Sequence, residues 1–102
     1  MANVVVADEA RVDIRHAAAW YERAQARLGA SFISEVDRSI IQIAERPKSF
    51  PFAHKSMRRA HLNRFPYGVF FEVVDDIVLI VGVIDLRRHP RTWRRRAPKK
   101  PR

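Results

Sequence analysis

Five arginines and two histidines are set around one apolar stretch of this sequence. Arg58, Arg59 and Arg64 precede it, Arg87 and Arg88 follow it, and His61 and His89 lie among them. Guanidinium groups brought together can fork onto phosphates or carboxylates, and an imidazole beside them can act as acid or base. Arg58 and Arg59 have a second reading, as ordinary ion pairs with Glu72, Asp85 or helix carboxylates. That reading applies less to Arg87 and Arg88, which have few acidic neighbours in sequence. Trp93, between Arg91 and Arg94, is either an exposed anchor of the kind enriched at interfaces or a side chain folded back onto the core, and packing is the favoured reading. His16, on the outer side of the first helix, and His54, in a loop, read as surface residues.

Other chemistries are excluded. There are no cysteines, so disulfides, thiol catalysis and cysteine-based zinc sites are out. No histidine pairs with a carboxylate or another histidine at i, i+4 on one helix, so no metal site is expected. The three glycines, Gly29, Gly68 and Gly82, form neither a phosphate loop nor a Gly-x-Ser-x-Gly elbow. No cofactor is expected.

The elements that must position the arginines follow from periodicity. Val4-Val5-Val6 reads as a first strand. Asp8 is a candidate N-cap with Glu9 in the first turn. Ala10, Ile14, Ala17, Tyr21, Ala24 and Leu28 then recur at spacings of four and three, one apolar stripe on a helix, with Gly29 placed to end it in the left-handed conformation. A second helix is predicted from about Ser31 to Arg46, with Phe32, Val36, Ile40 and Ile43 inward and Pro47 closing it. The two helices should form an antiparallel hairpin. Pro47 to Met57 reads as a loop, and Arg58 to Leu62 as a polar edge strand. Tyr67 to Val74 alternates as a strand, Asp75-Asp76 supplies a two-residue turn, and Ile77 to Ile84, apolar on both faces, is the central strand. This is an α+β layout, strand–helix–helix–three strands, with a helical hairpin on a small, mainly antiparallel sheet.

At 102 residues and 47% apolar composition the chain is one domain with a modest core. Its formal net charge of +9 is unevenly placed. From Arg87 onward there are nine basic residues and no acidic one, leaving eleven of each sign in residues 1–86. Residues 1–96 are assigned to the domain and 97–102, with Pro98, Lys99, Lys100 and Pro101, to a basic, disordered tail. No apolar run reaches the roughly 20 residues of a spanning helix, and the N-terminus lacks a signal-peptide pattern. A cytoplasmic protein is expected.

In order and spacing, the chain resembles the ParE/RelE superfamily of toxins of type II toxin–antitoxin systems, often labelled plasmid stabilisation proteins. The resemblance spans roughly residues 4–96. It rests on Arg64-Phe65-Pro66-Tyr67, Phe70-Phe71-Glu72-Val73, the Ile77–Ile84 strand, and Arg87-Arg88-His89-Pro90 with Trp93. Trp20-Tyr21-Glu22, Gly29 with Phe32, and Pro47 with Phe50-Pro51 support it.

The resemblance implies growth arrest by a toxin. It also implies a toxin–antitoxin hetero-oligomer, with the cognate antitoxin supplying an acidic, partly helical segment. One branch of the superfamily poisons DNA gyrase; the other cuts messenger RNA on the ribosome. RNA-cutting relatives carry a basic residue just after the tyrosine of the third strand, where this chain has Gly68. They carry a tyrosine where this chain has Trp93, whose indole N–H is a donor only. The resemblance therefore points to the ParE-like branch and to DNA gyrase as target, with Arg58, Arg59, Arg64, Arg87, Arg88 and Trp93 as candidate contacts. The alternative is a RelE-like endoribonuclease using Arg64, Arg87, His61 and His89.

Overall fold

The computed structural model describes residues 1–98; the expectation of disorder for Lys99, Lys100, Pro101 and Arg102 lies outside the described residues. The chain runs β1 (Asn3–Val6), α1 (Asp8–Ala24), α2 (Leu28–Glu45), a short 3-10 turn (Pro47–Ser49), β2 (Phe52–His54), β3 (Met57–His61), β4 (Tyr67–Val74), β5 (Ile77–Asp85) and a last short helix, α3 (Arg91–Arg94). The five strands form one sheet in the order β1-β5-β4-β3-β2. All neighbours are antiparallel except β1 and β5. That one parallel pair follows from the connection, because the chain passes through both helices and three strands before β5 returns beside β1. The α+β layout expected from the sequence is the observed one.

Asp75, at φ 55°, turns β4 into β5. The resulting register sets Tyr67 opposite Asp85 at the far end of the hairpin. A bulge lies where Phe70 pairs with Gly82 and Phe71 with Ile80. It leaves Val81 as an extra residue and re-aims the end of β5 beyond it.

Both faces of the sheet are covered, by different means. Under the helices lies the main core of Phe32, Val36, Ile43, Val69, Phe71, Ile80 and their neighbours. On the opposite face Met57, Phe70, Val81, Ile84 and Trp93 form a second cluster. The strongly apolar pattern of β5 is what such double coverage requires.

The helix boundary differs from the expected one. Helix α1 stops at Ala24, and α2 begins at Leu28, with Arg27 rather than Gly29 in the left-handed region at φ 72°. The cause is Glu22, whose carboxylate accepts the Arg27 N–H at 2.9 Å and the Gly29 N–H at 3.0 Å. These are amides at the start of α2 that have no intrahelical partner. Gly29 is instead inside α2 at a close approach: a Cβ there would sit 2.5 Å from the Ala18 carbonyl oxygen. At the start of α1, Ala7 rather than Asp8 is the N-cap, and Asp8 and Glu9 occupy the first turn. The segment expected as a loop contains β2, so β3 is not the sheet edge.

Candidate functional site

The end of the β4–β5 hairpin meets the flank of α1, and a cleft of about 510 Å³ opens there. Its walls are His16, Trp20 and Arg23 from α1, Tyr67 from β4, and Asp85, Arg87 and Arg88 from the end of β5 and beyond. The helix contributes its share because His16, Trp20 and Arg23 fall at i, i+4 and i+7, one exposed stripe beside the buried one. Beneath lies an aromatic cluster. Tyr21 stacks on Phe32 at 5.5 Å between centroids, Phe65 meets Tyr21 edge-on at 4.8 Å, and Phe32 meets Tyr67 at 5.1 Å. Rings from α1, α2, the β3–β4 loop and β4 thus lock together, and the cationic walls stand on a stiff base.

Within the cleft Arg87 is held by Asp85. Its Nε donates to Oδ1 at 3.0 Å, its Nη2 to Oδ2 at 2.8 Å, and its backbone N–H to Oδ1 at 2.9 Å. The Asp85 side chain is 15% exposed and that of Arg87 66%. These hydrogen bonds hold the Asp85 carboxyl below the ordinary aspartate value. Burial pushes the Tyr67 and Tyr21 hydroxyls above the ordinary tyrosine value, so both remain neutral donors near pH 7. Trp20 is 55% exposed, an unusual position for an indole in a small domain. A second depression of about 260 Å³ shares Tyr67, Asp85 and Arg88 with the first and runs along α1 to Arg95 and Arg96.

The other predicted site residues lie elsewhere. Arg58 donates to the carbonyls of Phe50 at 2.6 Å and Lys48 at 3.3 Å, and its guanidinium covers the Phe52 ring at 3.9 Å. Arg59 crosses β4 on the face opposite the helices, with its guanidinium 5.4 Å from the Trp93 ring centroid and 6.0 Å from that of Phe70. Among the described residues neither arginine pairs with a carboxylate, so the ion-pair reading gives way to backbone carbonyls and rings. Arg64 belongs to the β3–β4 loop, where its backbone N–H donates to both oxygens of Glu35 at 3.1 and 3.2 Å and its guanidinium lies 5.6 Å from the Phe65 ring. His61 lines a small depression with Glu35, Arg38 and Asn63, while the Nδ1 of His89 accepts the Arg91 N–H at 3.2 Å. Of Arg64, Arg87, His61 and His89, only Arg87 lines the cleft.

One sequence reading changes, and the choice left open for Trp93 is decided for packing, the favoured reading. Arg87 is ion-paired after all, because a strand end carries Asp85 and Arg87 to the same side at i, i+2. Trp93 is 6% exposed and stacks on Phe70 at 5.0 Å, so it packs into the core rather than standing out as an anchor. Gly68 gains a role as well. A Cβ there would meet Arg59 Cγ and Cδ at 3.1 Å and Leu86 Cδ2 at 3.0 Å, so the glycine makes room for Arg59 to lie across the strand.

The basic C-terminal stretch is not uniformly free. Arg96 donates to Asp13 through Nη1 at 2.9 Å and Nη2 at 3.0 Å, reaches Glu9 at 3.2 Å, and donates from Nη1 to the Val81 carbonyl at 3.1 Å. Asp13 also accepts the Val83 N–H at 3.0 Å. The pair ties α1 and the segment after α3 to β5 just past its bulge.

His16, Trp20 and Arg23 were missed as site residues from sequence. Their helical spacing was visible, but the element they would face was not. Among the described residues there is no group of histidines and acids able to hold a metal, and no helix is long and apolar enough to cross a membrane.

Comparison with known proteins matches this frame. Residues 4–93 fit the family described as the ParE toxin of the type II toxin–antitoxin system parDE. No curated protein matches the sequence. Among solved structures, one titled "Chromosomal ParDE TA system from P. aeruginosa" superposes with a TM-score of 0.76 at 13% identity, covering 84% of this chain and 97% of that one. At that identity the likeness is one of fold.

Proposed function

Since the chain belongs to the ParE toxin family of type II toxin–antitoxin systems, we propose that it arrests growth by binding and inhibiting DNA gyrase and that a cognate antitoxin holds it inactive. The observation that carries this reading is the separation of Arg87 from the two histidines on which the nuclease reading depends, His61 and His89. The cleft presents Arg23, Arg87 and Arg88 on a rigid aromatic base, while His61 and His89 lie outside it and Trp93 is buried. The nuclease reading needs His61 or His89 beside Arg64 and Arg87, because phosphodiester cleavage takes an acid or base and charge stabilisation at one place. The imidazole that does line the cleft is His16. Docking needs only a stiff, complementary surface. A basic chain assembled with an acidic antitoxin segment that orders as it binds is the complex this charge distribution favours, in the cytoplasm.

The RelE-like nuclease reading keeps one supporting observation. Arg59 brings a guanidinium beside Gly68 and Trp93, and its buried Nε has no hydrogen-bond partner. The two readings separate in an inducible expression experiment. Gyrase inhibition predicts DNA-damage induction and filamentation with intact transcripts; early loss of translation with cut transcripts would reverse the assignment.

A further inference from the structure

A guanidinium has two edges that can each take a carboxylate, and in Arg87 they have different fates. The edge formed by Nε and Nη2 is occupied by Asp85. The opposite edge, formed by Nη1 and the outer hydrogen of Nη2, has no partner among the described residues and belongs to a side chain that is two-thirds exposed. Because one edge is anchored, the other is held in a fixed direction at the cleft wall. An unanchored surface arginine would have to lose its rotamer freedom on binding, about 0.5–1.5 kcal/mol. Opposite stands Trp20, an exposed indole braced edge-on against Tyr21 at 5.0 Å, and Arg23 and Arg88 supply further positive charge.

We propose that this cleft is the receptor for an acidic peptide segment of a partner protein, in which a glutamate or aspartate side chain forks onto the free edge of Arg87 and a neighbouring apolar side chain lies on Trp20. The inference rests on the reading above, in which such a segment belongs to the antitoxin. A peptide fits better than a nucleic-acid strand for two reasons. Asp85 places a carboxylate inside the cleft, which a phosphate backbone, charged at every step, has less freedom to avoid than a peptide with single acidic side chains. Single-stranded nucleic acids are also bound on successive aromatic platforms, whereas of the two aromatic side chains lining this cleft Trp20 is exposed and Tyr67 half-buried.

Lysine carries the same charge as arginine but cannot fork in two directions at once, so a charge-conserving substitution tests the geometry. The full chain is titrated with a short acetylated peptide alternating glutamate and leucine, with its glutamine counterpart and with oligothymidylate, while tryptophan fluorescence is followed. Trp20→Phe assigns the signal, since Trp93 is buried. Arg87→Lys should weaken binding of the acidic peptide by at least about tenfold, the worth of a charge-assisted hydrogen bond. Arg88→Lys should weaken it by about threefold or less, because it alters only an exposed charge contact. Both variants should remain folded, Arg88→Lys melting with the parent protein and Arg87→Lys slightly below it, because it loses the fork onto Asp85.

Equal losses at Arg87 and Arg88 would overturn the proposal, as would equal binding of the glutamine peptide, no peptide binding, or tighter binding of oligothymidylate. Growth arrest does not enter this measurement. A variant that binds peptide normally but no longer arrests growth would count against the gyrase reading and leave the cleft assignment standing.

Discussion

Arg59 and Arg87 are the same residue type on the same sheet, and their surroundings give them opposite uses. Arg59 is laid over β4 in the gap left by Gly68, against the faces of Phe70 and Trp93. Its methylenes are packed and its charge is spent on rings. Arg87 sits at a strand end, held on one side by Asp85 and open on the other. The two tryptophans divide in the same way, Trp93 closing the second core and Trp20 standing in the cleft. The lesson is that a basic cluster in sequence is not a basic surface in space. Which arginines are available depends on whether a ring, a carbonyl or a carboxylate reaches them first.

The largest test of this contrast is to truncate each tryptophan. Trp93→Ala should cost about 3–5 kcal/mol of stability in denaturant unfolding, as for other large core rings. Trp20→Ala should change stability by no more than about 0.5 kcal/mol while reducing binding in the cleft. Similar stability losses at both would erase the distinction between a core face and a presenting face.

The frame under the cleft offers a test of sign. Alanine ordinarily stabilises a helix interior relative to glycine. At Gly29 the added Cβ would meet the Ala18 backbone carbonyl, so Gly29→Ala should instead destabilise by about 1–3 kcal/mol. A rise in melting temperature would show that α1 and α2 are not pressed together as described.

Arg96→Ala should cost less, about 1–2 kcal/mol, because the Asp13 pair is only partly withdrawn from water. Its clearer sign is faster hydrogen exchange at the Val83 amide, which Asp13 would no longer hold in place. Unchanged exchange would mean that the C-terminal segment does not secure β5.

The smallest effect concerns pH. Asp85 titrates below the ordinary aspartate value because Arg87 hydrogen-bonds its charged form. Its contribution to stability is therefore present above the unfolded value of about 3.9 and is lost as pH falls through the lower folded value. Arg87→Ala should move the Asp85 carboxyl back up in an NMR titration. An unmoved resonance would mean that the pair is not formed in solution.

Much of the fold was legible because it is written in periodicity. The Val4–Val6 strand, the two amphipathic helices, the Asp75-Asp76 turn and the doubly apolar Ile77–Ile84 strand each carry a local signal. The α1–α2 boundary was not legible, since it is set by Glu22 reaching amides five and seven residues ahead. Strand β2, three residues long beside two prolines, has too little pattern to announce itself. Half of the cleft was visible as Arg87 and Arg88 at the end of the central strand. The other half lies on α1, and no local signal says that the stripe of His16, Trp20 and Arg23 faces that strand end. Long-range pairs such as Asp13 with Arg96 are invisible for the same reason.

The measurement closest to the central claim is gyrase supercoiling, run beside ribosome-bound transcript integrity, with the purified parent protein and the Arg87→Glu, Arg88→Glu double variant. Docking without chemistry predicts that the parent inhibits gyrase and leaves transcripts whole, and that the folded variant loses the inhibition. Cut transcripts with gyrase untouched, abolished by substituting His61 or His89, would contradict it.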